Sequence, residues 1–183
     1  MRVSRQTQAE HRAAMLEQAD FRVVAVGNIG SPILDAIRDP VGYDALVVEL
    51  SSFQLHYLSS MEPHSAVVLN LADDHLDWHG GFDSYRAAKA KIYHNTRYSC
   101  IYNVQDSATE TMVEEAEVIE GARAIGFSMA APARSHVGYV EDLLVDRAFL
   151  EDRANTALEL ARFEDIAQIG VVTPHLLANV AAA

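Results

Sequence analysis

The sequence predicts an α/β fold: a mostly parallel sheet with helices on both faces, plus a small antiparallel or mixed sheet. Three observations lead there. Apolar runs alternate with helix-like stretches from residue 22 to residue 104. Those runs are apolar throughout rather than every second residue, as in strands covered on both sides. After residue 110 the rhythm loosens, and ARAIGFS (122–128) and SHVGYVEDLLVD (135–146) read as strands of the smaller sheet.

Taken in order, RVVAV (22–26) is a short strand followed by the turn Gly27-Asn28-Ile29-Gly30. Ser31-Pro32 reads as an N-cap with proline in the first helical position, opening SPILDAIRD. Tyr43 to Glu49 is the second strand, and Ser51-x-x-Gln54 matches a capping box that opens SFQLHYLSSM. SAVVLNL (65–71) is the third strand, and the polar loop ADDHLDWHGGF follows it. Asp83 or Ser84 then caps the helix SYRAAKAKIYHNT, and Tyr98 to Val104 is the fourth strand. The run from Thr173 to Ala183 begins a helix.

The totals narrow the function classes. At 183 residues, half of them hydrophobic and 22% charged, the chain has the composition of one globular domain with a real core. No linker, repeat or low-complexity tract divides it, so 1–183 reads as a single domain. A formal net charge of −12 repels polyphosphate backbones and argues against general nucleic-acid binding. No apolar run approaches the roughly 20 residues that span a bilayer, so no membrane partner is expected. The opening MRVSRQTQAEHRAAML has charges but no apolar core of a signal peptide, and a lone cysteine, Cys100, agrees with a reducing compartment. A cytoplasmic location is the expectation.

Ligands of parallel sheets sit beyond the carboxyl ends of the strands. Three strand ends here carry polar residues: Gly27–Gly30, Glu49–Gln54 and Asp73–His79. Each has two readings. Glu49, Ser51 and Gln54 either stabilise the next helix N-terminus or face a ligand. The run Asp73-Asp74-His75-Leu76-Asp77-Trp78-His79 is either a solvated acidic loop or a site for a hard cation beside phosphates. Tyr85, Lys89 and Tyr93 share a helical face at i, i+4 spacing, which buries part of the lysine or lets it snorkel. His11, His56, His64, His94 and His136 fit no ligand spacing, and Cys100 reads as a small core residue.

Together GNIGSP, VVELSSFQL, VVLNLADDHLDWHG and YRAAKAKIY, in this order and spacing, resemble the central domain of the Mur ligases. The likeness is dense over about residues 13–105, weaker to 170, and resumes at PHLLAN. SSFQL after the strand glutamate is similar to the members that add D-glutamate to UDP-N-acetylmuramoyl-L-alanine. The resemblance implies a fold akin to the P-loop NTPases and an ATP-powered, ADP-forming amide ligation in peptidoglycan synthesis. In that chemistry the substrate carboxylate is phosphorylated and the D-glutamate amine attacks the acyl phosphate. It also implies residue roles: Glu49 holding Mg²⁺ between the ATP phosphates, His75 at a second metal, and Lys89 as a carbamate that ligates metal. Asn28, Ser51, Ser52 and Gln54 would line the UDP-muramoyl substrate, and Asn179 would lie near the adenine.

The sequence also departs from the pattern. The family's phosphate loop has the form GTNGKTT, whose glycines let backbone N–H groups cradle phosphates. No Gly-Lys pair occurs in the chain, and the expected place, Met1–Gln8, reads MRVSRQTQ, with Arg5 near the position of the lysine. The family's His-Asn-x-x-Asn reads His175-Leu176-Leu177-Ala178-Asn179. Counterparts of the N-terminal uridine-binding and C-terminal amino-acid-receiving domains are absent, so the chain reads as one central domain truncated at both ends. The expectation is a D-glutamate-adding ligase domain, inactive by itself. The alternatives are a non-catalytic muramoyl-nucleotide-binding module and a structural remnant.

Overall fold

The computed structural model describes residues 8–183; Met1–Thr7, which hold most of the expected phosphate-loop stretch and Arg5, lie outside the described residues. The chain divides into two compact units, one up to Gln54 with Ala183 added, the other Leu55–Ala182.

The first unit begins with helix α1 (Gln8–Gln18), which buries Ala9 and Ala13, one helical turn apart. Strand β1 (Val23–Gly27), helix α2 (Ile33–Ile37) and strand β2 (Ala45–Glu49) follow. The two strands pair in parallel, in register from Val23 opposite Ala45 to Gly27 opposite Glu49. They form a sheet of their own. The continuous apolar run of β2 predicts burial on both faces, yet Leu46 and Val48 stay 38% and 39% exposed. Helix α1 lies against both strands and α2 against β1. The expected Ser31 cap gives way as well. Ser31 bridges to Val26 as a strand residue, so Pro32 occupies the cap position and the helix begins at Ile33.

Helix α3 (Ser52–Tyr57) crosses the boundary between the units. The second unit continues with strand β3 (Ser65–Val68), the single turn α4 (Leu76–His79) and helix α5 (Phe82–Ala90), which tightens into a 3-10 turn over Lys91–Tyr93. Helix α5 starts before the expected Asp83 or Ser84 cap, because Gly80 and Gly81 at positive φ end one helix and launch the next. Then come β4 (Ser99–Asn103), α6 (Ser107–Glu114), β5 (Arg123–Phe127), β6 (His136–Val140), β7 (Leu143–Asp146), β8 (Leu158–Arg162), α7 (Phe163–Ile166) and α8 (Pro174–Ala182).

Strands β3 to β8 form one sheet in sequence order. The pairs β3–β4, β4–β5 and β5–β6 are parallel, and β6–β7 and β7–β8 antiparallel. The fold class is thus the expected α/β, with the antiparallel strands continuing the parallel ladder rather than standing apart. Period-2 alternation gives this sheet two cores. Val67, Ile101 and Ile125 stand opposite one another, as do Phe127 and Val137, and Tyr139 and Leu144; all belong to a core completed by Ile166 of α7 and Leu177, Ala181 and Ala182 of α8. On the other face Ala66, Val68 and Cys100 pack with Tyr93 and Met112. No helix of the described residues is long and apolar enough to cross a membrane.

Candidate functional site

In the first unit the parallel pairing places the turn after β1 and the carboxylate ending β2 on the same edge. The Asn28 N–H donates to the Glu49 carbonyl at 2.7 Å, and the Asn28 side-chain amide reaches Glu49 Oε1 at 3.4 Å. Gly27 makes this approach possible. Its φ is +112°, and a Cβ there would stand 2.2 Å from the Glu49 carbonyl oxygen. The structure therefore brings together two sequence-selected residues, Asn28 and Glu49.

Ser51 and Gln54 form the capping box that their spacing predicts. The Ser51 N–H and O–H both donate to Gln54 Oε1, at 2.8 and 3.0 Å, and the Gln54 N–H donates to Ser51 Oγ at 3.2 Å. Helix capping accounts for these polar atoms. Ser52, the first residue of α3, is buried.

In the second unit the run after β3 folds around His75. Its backbone is left-handed, at φ 51°, and its carbonyl accepts the N–H groups of Trp78 and His79, each at 3.1 Å. Such a conformation costs a non-glycine residue energy and occurs disproportionately at functional sites. The imidazole is exposed, with Nε2 3.4 Å from Asp74 Oδ1. Lys89 is partly buried, its ammonium 6.0 Å from the centroid of the Tyr85 ring. Tyr93 lies in the 3-10 turn that follows α5. Its ring is buried in the core, where its hydroxyl donates to the Ile101 carbonyl at 2.7 Å and accepts the Val68 N–H at 3.0 Å.

Between His75 and Lys89 lies a ring cluster that the sequence did not single out. His79 is buried and meets Trp78 at 4.6 Å and Tyr85 at 5.3 Å, edge to face. His56 meets Trp78 the same way at 5.1 Å. Burial lowers the His79 pKa, and the charges of His56, His75 and Lys89 push it the same way, which favours the neutral ring. Burial raises the Tyr85 pKa, and the Asp74 carboxylate adds to that. The sequence carries no spacing signal for this cluster, because His56 and Tyr85 reach it from separate helices.

Asn179 sits half-buried on α8. Leu176, where the resemblance expects asparagine, packs against the α8 core as an apolar residue.

A model of the Mur ligase middle domain matches residues 7–183. The chain belongs to the Mur ligase family. It is 51% identical over 182 residues to a UDP-N-acetylmuramoylalanine--D-glutamate ligase of Leifsonia xyli subsp. xyli, covering 97% of this chain and 35% of that protein. Ligases of the same name from Streptomyces coelicolor and Tropheryma whipplei (strain Twist) are 51% and 43% identical. These alignments cover 97% and 91% of this chain against 37% and 36% of the two ligases. A solved Mur ligase, a UDP-N-acetylmuramoyl-L-alanyl-D-glutamate--2,6-diaminopimelate ligase, shares the fold at a TM-score of 0.65 and 16% identity, over 93% of this chain and 42% of its own. The chain thus spans about a third of the length of the curated relatives it matches. The family match runs through residues 106–170, where the sequence likeness was weakest.

Proposed function

We propose that residues 1–183 are the central domain of a longer Mur ligase that joins D-glutamate to UDP-N-acetylmuramoyl-L-alanine in peptidoglycan synthesis, at the expense of ATP and in the cytoplasm. The observation supporting this most is the 51% identity to ligases of that name across 97% of the chain.

The proposed roles are those that the family resemblance implies, and the chemistry of the residues agrees with several of them. Glu49 supplies a hard carboxylate oxygen of the kind Mg²⁺ prefers, and Asn28 steadies that carboxylate through its amide. His75 offers a ring nitrogen beside Asp74. Lys89 as an ammonium ligates nothing; it fits a metal only after carbamylation turns it into an oxygen donor. Bound Mg²⁺–ATP would supply the phosphoryl group and neutralise the charge that develops on it. Asn28 and the capped entrance of α3 at Ser51, Ser52 and Gln54 would orient the muramoyl substrate, and Asn179 the adenine. Positioning of this kind lowers the barrier without covalent participation by the protein.

The test is a chimera in which this chain replaces the matching third of the Leifsonia xyli ligase. Phosphate release should require ATP, UDP-N-acetylmuramoyl-L-alanine and D-glutamate together. A folded chimera that binds ATP and releases no phosphate under those conditions overturns the reading. The 183 residues alone should release little or none, and normal turnover by them would contradict the domain assignment.

A further inference from the structure

We propose that His79 is a positioning residue that sets Lys89 relative to His75. The inference rests on the reading above that His75 and Lys89 serve the ligation. Four observations converge on His79. It ends the one-turn helix α4, and its N–H, with that of Trp78, fixes the His75 carbonyl and so the left-handed turn that presents the imidazole. It is the buried member of the run, 9% exposed, while His75 and Trp78 are 51% and 46% exposed. Its ring is wedged between Trp78 and Tyr85, at 4.6 and 5.3 Å. Tyr85, 5% exposed, in turn lies under the Lys89 ammonium. Backbone, ring, ring and ammonium thus form one packed sequence of contacts from His75 to Lys89, and densely packed rings transmit a displacement rather than absorb it.

The role belongs to shape, not charge. An edge-to-face ring contact depends on the outline of the His79 ring. Phenylalanine preserves that outline, whereas leucine fills similar space without a flat edge for Tyr85.

The experiment uses the full chain with isotope-labelled lysine, Lys89 being assigned through Lys89→Arg. In the parent, the Lys89 ε-methylene protons should resonate upfield of those of Lys91, whose ammonium donates to the His56 carbonyl at 2.7 Å. His79→Leu should abolish that ring-induced shift while the amide signals of β4 and β5 stay in place. His79→Phe should keep it. An unchanged Lys89 signal in His79→Leu, or its loss in His79→Phe, overturns the proposal. Mn²⁺ titration separates it from the reading it rests on. If Mn²⁺ broadens neither His75 nor Lys89 in the parent, the metal role fails while the ring shifts still decide the positioning. If it broadens them, His79→Leu should bind Mn²⁺ about tenfold more weakly, the scale typical of a lost supporting contact. Equal affinity would show that the positioning has no functional consequence and overturn it on that side.

Discussion

The Asn28 N–H donates to the Glu49 carbonyl at 2.7 Å, and Gly27 is what lets the two strand ends come so close. A Cβ at Gly27 meets that carbonyl oxygen at 2.2 Å and must also adopt φ +112°. Gly27→Ala should therefore cost about 3 kcal/mol, combining overpacking with backbone strain. Gly42→Ala is the internal control, since φ there is +75° but nothing lies within 4 Å, and it should cost only about 1 kcal/mol. Urea unfolding of the two variants checks this. Equal losses would mean that the close approach to Glu49 does not limit the site.

The capping box separates the two readings of SSFQL. Since Ser51 and Gln54 bond each other reciprocally, Ser51→Ala should lose about 1 kcal/mol of stability with no ligand present. Gln54→Ala should behave alike, and the double variant should lose less than the sum of the two, because each single change already breaks the shared bonds. Thermal unfolding of the three variants measures it. Strict additivity would mean that the bonds are not coupled and that the residues stand there for another reason.

How far the sequence could be read follows from which elements announce themselves. Strands β1 to β4 are short apolar runs bounded by turn residues, and α8 opens with Thr173-Pro174, so both were legible. Helix α6 was not: it buries only Thr109 and Met112, too few for a visible apolar stripe, although Asp106 caps it by accepting the Ala108 N–H at 3.1 Å. Strand β8 runs along the sheet edge with Leu158, Glu159 and Leu160 all exposed, so no alternation marks it. Helix α1 is written in good helix formers, and propensity rather than pattern would have found it. At the candidate site Asn28, Glu49 and the Ser51–Gln54 box were visible as strand-end residues. The contact between His79 and Tyr85 was not, because it joins a loop helix to the next helix through a turn whose geometry depends on two glycines at positive φ.

Tyr93 ties the third and fourth strands together beneath the sheet. Its hydroxyl is fully buried, accepts from Val68 and donates to Ile101. Tyr93→Phe leaves a buried N–H without its acceptor and should destabilise by about 1–3 kcal/mol. Hydrogen exchange should report the loss at the Val68 amide before other β3 amides. Unchanged Val68 protection would show that this bond contributes nothing to the strand.

Alkaline stability should depend on Tyr139, whose hydroxyl donates to the Leu177 carbonyl at 2.9 Å and fastens α8 to β6. Burial raises its pKa from 10 to about 12. The neutral phenol is thus favoured in the fold more than in the unfolded chain, and between those values the folded state holds more protons. Its contribution is complete below pH 10 and disappears as pH rises towards 12. Tyr139→Phe removes the group that titrates but also a buried hydrogen bond worth about 1 kcal/mol, so the variant should be less stable at pH 8. Its stability should then fall less steeply than the parent's between pH 10 and 12. Some slope must remain, because burial raises the pKa of Tyr93 in the same direction. Parallel curves for parent and variant above pH 10 would mean that the Tyr139 phenol ionises as readily in the fold as outside it, and that its contact with Leu177 is not closed to water.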